Sequence, residues 1–279
     1  MANQLIHFGK LSLLYENGFV RYIRAGEIEI VRMIYFALRD SNWATADVVR
    51  SDERVSVKQN GFNISYTATS RVEGQDVFRW HVKINGNDRG EIEFSIDGEA
   101  LAVYTRNRAG ICVLHPIRET RDHVVKITRP DGTIYESKFP SVINPHQPFL
   151  DITKMTWHLK DDTWAELQFE GDVFETEDQR NWSDTSFKTY STPLSRPYPV
   201  TLHPGDKVKQ MVKFRVINSD SLPLPDITET IAIIIDESSV KAFPKIGFDF
   251  AGESVKSEKE VNLLKALHPD HLRIEIVVS

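Results

Sequence analysis

Between Glu175 and Tyr190 the sequence gathers groups that could handle a polyhydroxylated ligand. Sixteen residues carry four carboxylates (Glu175, Glu177, Asp178, Asp184), two cations (Arg180, Lys188), two amides (Gln179, Asn181) and three aromatics (Trp182, Phe187, Tyr190). Carboxylates and amides bind sugar hydroxyls directionally, and an aromatic ring packs on the apolar C–H face of a sugar. The plainer alternative is a solvated loop whose charges pair with one another. A second stretch, Ile111–Leu114, is apolar and leads straight to His115 and Pro116. Histidine titrates near neutrality, so at a strand end it can donate to a ligand or act as general acid or base. Equally, it can bond a neighbouring carbonyl while Pro116 ends the ladder. A third stretch, Phe139–Phe149, holds Pro140, Pro145 and Pro148 around His146 and reads as a rigid loop or a crossover.

Other chemistries find little support. The chain has no His-Glu-x-x-His and a single cysteine, so neither a zinc site nor an internal disulfide is expected. His268 and His271 are three apart, but Pro269 breaks any helix that would align them. There is no Gly-x-Gly-x-x-Gly, no Walker loop and no Gly-x-Ser-x-Gly elbow. Cys112, between Ile111 and Val113, reads as an inert core thiol. No cofactor is implied.

The elements that position these residues read mostly as strands. Phe62, Ile64 and Tyr66 alternate with polar residues, as do Phe78, Trp80, Val82 and Ile84; Ile92, Phe94 and Ile96; and Val208, Val212, Phe214 and Val216. A half-buried strand requires this period. Asn85–Asp88, Asp97-Gly98 and Pro130-Asp131-Gly132 read as turns. A dozen or more strands between Leu11 and Ile217, with no long amphipathic helix among them, predict a mainly β fold: a large antiparallel β-sandwich. Asn218–Pro225 is polar and proline-rich and reads as a connector, with a further strand at Ile231–Ile235. Lys245–Phe250 reads as a short buried strand. Ser257-x-x-Glu260 is a capping box opening an apolar-striped helix, and Leu272–Val278 reads as a second strand. The expected organisation is a sandwich over 1–217, a linker with a connecting strand over 218–244, and a βαβ unit over 245–279. A βαβ unit needs neighbours to cover its faces, so it is either the opening of a barrel cut short or a small appendage.

Of 279 residues, 41% are hydrophobic and 27% charged, and the formal net charge is −6. That composition is globular. The acidic balance argues against nucleic acid or an anionic membrane surface as partner. The longest apolar run, the five residues Ile231–Ile235, is far short of a membrane span. The first residues lack a secretory pattern, which points to the cytoplasm. Self-association into a homo-oligomer is compatible with this composition.

The sequence resembles the D-apionate lactonase family. The resemblance rests on Asn107–Gly110 with Val113–Ile117; on Phe139-Pro140 with Gln147–Phe149; on Phe174–Asp184 with Lys188–Tyr190; and on Val20–Ile23 and Arg39-Asp40-x-x-Trp43. It implies a galactose-mutarotase-like supersandwich followed by a TIM-type barrel, of which 245–279 would be the first strand, helix and second strand. It also implies hydrolysis of a sugar-acid lactone in sugar catabolism, with a small sugar or sugar-acid lactone as partner. Under it His115, Glu175 and Asp178 become candidates for catalysis, and Glu177, Arg180, Asn181, Trp182, Lys188 and Tyr190 for substrate binding. The alternatives are a carbohydrate-binding sandwich without catalysis and a mutarotase-like aldose epimerase.

Overall fold

The computed structural model describes residues 3–223, 244–250 and 257–274. Contacts divide the chain into units spanning 1–227 and 228–279.

In the first unit, β1 (Gln4–Phe8), β2 (Leu11–Glu16), β3 (Phe19–Ala25) and β4 (Ile28–Asp40) form one meander, and β5 (Asp47–Lys58), β6 (Gly61–Val72), β7 (Gln75–Asn87) and β8 (Ile92–Ala100) form another. β9 (Tyr104–Pro116) returns to pair with β4, and the one-turn helix α1 (Ile117–Thr120) follows it. Then come β10 (Val124–Thr128), β11 (Ile134–Lys138), β12 (Phe149–Ile152), β13 (Lys154–Lys160), β14 (Thr163–Glu170), β15 (Phe174–Asp178), β16 (Ser186–Tyr190), β17 (Val200–Leu202) and β18 (Lys207–Ile217). Among the described residues they make two nine-stranded antiparallel sheets. One runs β1-β2-β3-β4-β9-β16-β15-β12, with β17 also on β9; the other runs β11-β10-β13-β14-β18-β8-β7-β6-β5. The fold is mainly β, as the alternation predicts.

Inward-facing residues of the two sheets interdigitate to form the core. Phe8 meets Phe62 edge-on at 5.4 Å, Phe36 stacks on Phe78 at 6.1 Å, and Phe169 stacks on Phe174 at 4.3 Å. Aromatic pairs of this kind stabilise beyond the area they bury, by about 0.5–1.5 kcal/mol each.

Two expected turns fall elsewhere. Asp97-Gly98 lies inside β8, where a Cβ on Gly98 would come within 2.7 Å of the Phe78 ring. Gly86 lies inside β7, where a Cβ would meet the Phe62 ring at 2.0 Å. Both glycines make room for core aromatics. The β7–β8 turn forms two residues later, with Asn87 Oδ1 accepting from the backbone N–H of Arg89 and Glu91 at 3.0 and 3.1 Å. Pro130-Asp131-Gly132 is a turn as expected, with Asp131 Oδ1 accepting from the Thr133 N–H at 2.9 Å and Gly132 at φ +83°.

The residues read as the start of a connector pack on the sandwich. Lys10 Nζ donates to the carbonyls of Ser219 and Asp220 at 3.1 and 2.9 Å, and Leu222 is buried. Ile231–Ile235 lies outside the described residues.

The second unit comprises β19 (Gly247–Phe250), α2 (Glu258–Leu267) and β20 (His271–Ile274). The strands pair in parallel, Phe248 opposite Leu272. Ser257 Oγ accepts from Glu260 N–H at 3.3 Å and Glu260 Oε2 accepts from Ser257 N–H at 3.0 Å, which is the expected capping box. His268 takes a left-handed conformation ahead of Pro269 and ends the helix. Phe248, expected in a buried strand, is exposed, as are Leu263, Leu267 and Leu272. Among the described residues no helix is long and apolar enough to cross a membrane.

Candidate functional site

The outer face of the first sheet is hollowed over β4, β9, β16 and β15. Strand alternation decides what reaches it. On β4, Ile34, Phe36 and Leu38 turn into the core, while Tyr35, Ala37 and Arg39 turn outward. On β9, Ala109, Ile111 and Val113 turn inward, leaving Arg108 and Cys112 for the outer face. Lys188 and Tyr190 of β16 and Glu177 of β15 continue it. Trp43, Gln179, Trp182, Leu194 and Tyr198, on the loops after these strands, wall a cavity of about 630 Å³. Gly110 lets the Ser191 end of one wall approach β9, since a Cβ there would sit 2.3 Å from the Ser191 carbonyl oxygen.

Cross-strand register sets the polar contacts of the floor. Glu177 lies opposite Lys188 and pairs with it, and Gln179 Nε2 donates to Glu177 Oε1 at 2.5 Å. Glu175 lies opposite Tyr190, whose hydroxyl donates to Glu175 Oε1 at 2.5 Å; the same oxygen accepts from Leu194 N–H at 2.7 Å. Burial and the Glu175 carboxylate both push the Tyr190 hydroxyl up from its ordinary pKa. Arg108 is buried. Its guanidinium lies 4.4 Å from the Tyr198 ring centre and 5.3 Å from that of Trp43, which itself meets Tyr198 edge-on at 5.4 Å. Burial lowers the Arg108 pKa.

The residues expected at a ligand divide into three groups. Glu177, Trp182, Lys188 and Tyr190 line the cavity, and Glu175 supports it from behind Tyr190. Asp178, Arg180 and Asn181 instead form a knot that holds the proline-rich loop. Arg180 Nε and Nη2 clamp Asp178 at 2.9 and 2.7 Å, and Arg180 also donates to the carbonyls of Pro140, Ser141 and Val142 at 3.0 Å. Asn181 Nδ2 donates to the Asn144 carbonyl at 2.6 Å. Burial raises the Asp178 carboxyl, but the Arg180 and backbone hydrogen bonds outweigh it and hold the group below its usual range.

His115 forms the third group. It is wholly enclosed between the sheets, with Nε2 at 2.8 Å from Thr189 Oγ1 and its ring against Trp157 and Phe139. Burial drops its pKa from 6.5 to about 3, and the geometry does not bring it to the cavity. His146 lies in the loop that Arg180 and Asn181 hold.

Cys112 corrects the core-thiol reading in part. It is buried, but with Ala37, Tyr190 and Tyr35 on the cavity side of β9. The Cys112 thiol, with burial, pushes the Tyr35 hydroxyl up. Sequence reasoning missed Tyr35, Arg39, Tyr198 and the prominence of Arg108. The alternation of Tyr35-Ala37-Arg39 against Ile34-Phe36-Leu38 was the available signal. Among the described residues no cluster of three or more His, Cys, Asp or Glu could hold a metal ion.

A two-sheet antiparallel sandwich with an aromatic, charge-lined hollow on one sheet is a β-sandwich of the cleft-bearing class. The chain belongs to the D-apionate lactonase family: residues 1–219 match the family model for "D-apionate lactonase, N-terminal domain". It is 31% identical over 269 residues to the D-apionate lactonase of Brucella anthropi, covering 95% of this chain and 44% of that protein. The chain therefore spans under half the length of the curated relative it matches. Among solved structures it is similar to galactose 1-epimerase from Lactobacillus acidophilus, at TM-score 0.48 and 8% identity over 74% of this chain and 90% of that one. It is also similar to an aldose epimerase homologue from C. elegans, at TM-score 0.41 and 9% identity over 77% and 99%. Neither bears on the chemistry of the cleft.

Proposed function

We propose that the hollow over β4, β9, β16 and β15 binds a sugar acid or its lactone, and that the chain is the ligand-binding front part of a sugar-acid lactone hydrolase in sugar catabolism. The observation that carries this is the lining. Tyr35, Trp43, Trp182, Tyr190 and Tyr198 offer aromatic faces, while Glu177, Gln179 and Lys188 offer directional polar groups within one cavity. Family membership supports the substrate class. On this reading residues 1–227 form the binding domain, and β19, α2 and β20 open a barrel.

Glu177, Trp182, Lys188 and Tyr190 are the proposed ligand contacts. Glu175 and Asp178 are proposed as positioning residues and His115 as part of the frame. None of the three reaches the cavity surface, which favours binding over catalysis as this domain's task. Titrating the 279-residue chain with aldonolactones and aldonates by calorimetry tests the binding role. Saturable heat that Tyr190→Phe with Trp182→Ala abolishes is expected. No binding of any of them would overturn it. A hydrolysis rate above background by this chain alone would move catalysis into the sandwich.

A further inference from the structure

Two arginines share the cavity wall. Arg39 of β4 lies directly opposite Arg108 of β9 in the antiparallel register. Like charges facing each other across a strand pair are destabilising. Among the described residues neither arginine has a carboxylate in ion-pair contact; Glu175 and Glu177 act on the buried Arg108 only from farther off, and a buried cation without a close counter-ion is expensive.

The hydrogen bonds of Arg108 show what is left over. Nη1 donates to the Asn107 carbonyl at 2.7 Å. Nε and Nη2 are buried and have no partner. Those two N–H groups lie on one edge of the guanidinium plane, and two parallel donors at that spacing match the two oxygens of one carboxylate. The rings of Tyr198 and Trp43, 46% and 45% exposed, lie 4.4 and 5.3 Å from the guanidinium centre.

We propose that Arg108 is a carboxylate fork, and that the cleft takes the open-chain anion of a sugar acid in preference to a neutral sugar or lactone. The inference rests on the reading of this cleft as a sugar site and names the form of ligand it selects. A lactone offers the fork one neutral carbonyl oxygen, without the charge and the paired oxygens that make a bidentate bond strong. A carboxylate supplies both. A phosphate is the poorer fit, because Glu175 and Glu177 act electrostatically at Arg108 and repel a doubly charged group more strongly than a singly charged carboxylate. In the proposed lactone hydrolase this ligand is the ring-opened acid, so the cleft retains product-side molecules or reports their level.

The test is calorimetric titration of the full 279-residue chain with a matched series: D-ribonate, D-ribono-lactone, D-ribose and D-ribose 5-phosphate. Ribonate is expected to bind about tenfold or more tightly than the other three, as bonds to a charged partner allow. Arg108→Gln is expected to remove that preference. Arg108→Lys, a point charge in place of the fork, is expected to restore part of it. If Arg108→Gln fails to fold by circular dichroism, the wild-type series still decides. Lactone or ribose bound as tightly as ribonate would overturn the fork while leaving the sugar site standing. Preference for the phosphate would overturn it as well. No binding by any of the four would remove both readings.

Discussion

The Tyr190 hydroxyl donates to Glu175 at 2.5 Å from the opposite position on the neighbouring strand, and that same carboxylate oxygen anchors the loop at Leu194. One buried carboxylate thus ties the cavity floor to its wall. Tyr190→Phe is expected to cost about 1–3 kcal/mol in urea unfolding, because a buried acceptor loses its donor. Glu175→Ala should cost more and expose the 191–199 loop to protease. Wild-type stability in both variants would show that the tie is immaterial.

His115 gives a signed pH dependence. The imidazole takes its proton near pH 6.5 in the unfolded chain and only near pH 3 in the core, because burial disfavours the charged ring. Between those values the unfolded chain binds more protons. The stability that neutral His115 contributes is therefore complete above about pH 6.5 and is lost as pH falls toward 3. Unfolding free energy should fall from about pH 7 to about pH 4.5 with a slope of up to roughly 1.4 kcal/mol per pH unit from this residue. His115→Gln should lack that component. Parallel slopes in the two proteins would contradict it.

Arg180 clamps Asp178, whose side chain is fully buried, and binds three carbonyls of the loop after β11. Arg180→Gln leaves that carboxylate without its cation, so stability should drop by about 3–5 kcal/mol. Limited proteolysis with mass spectrometry should find new cleavage between Pro140 and Pro145. An unchanged digest would mean that the prolines alone hold the loop.

Trp182 is 75% exposed and contributes little to the core. Trp182→Ala should shift stability by no more than about 0.5 kcal/mol. Its aldonate affinity should fall about three- to tenfold, the worth of one stacked ring. A variant that binds as well as wild type would take Trp182 out of the site.

Much of the fold was legible because alternation is local. Phe78, Trp80, Val82 and Ile84 announce a strand and its inward face without any partner. The glycines misled because two needs share one residue type: Gly98 reads as a turn until Phe78 is known to lie against it. The acidic-aromatic stretch was recognised, but half of it knots a loop, since Asp178 turns inward where Glu177 turns outward. Arg108 was hidden for a different reason. Its meaning depends on standing opposite Arg39, some seventy residues earlier, and register between distant strands is not written in either one. Cys112 misled because β9 is covered on both faces, so its apolar run carries no sign of which side holds a ligand.

That double coverage gives β9 an unusual freedom. Its odd positions Ala109, Ile111 and Val113 pack in the core between the sheets, and its even positions Arg108 and Cys112 line the hollow, where the proposed ligand would meet them. Exchanges at the even positions can retune ligand choice while the inward row stays untouched. The strand works like a keyboard with one row wired to shape and the other to taste, so relatives that accept different molecules are expected to diverge on one row and agree on the other.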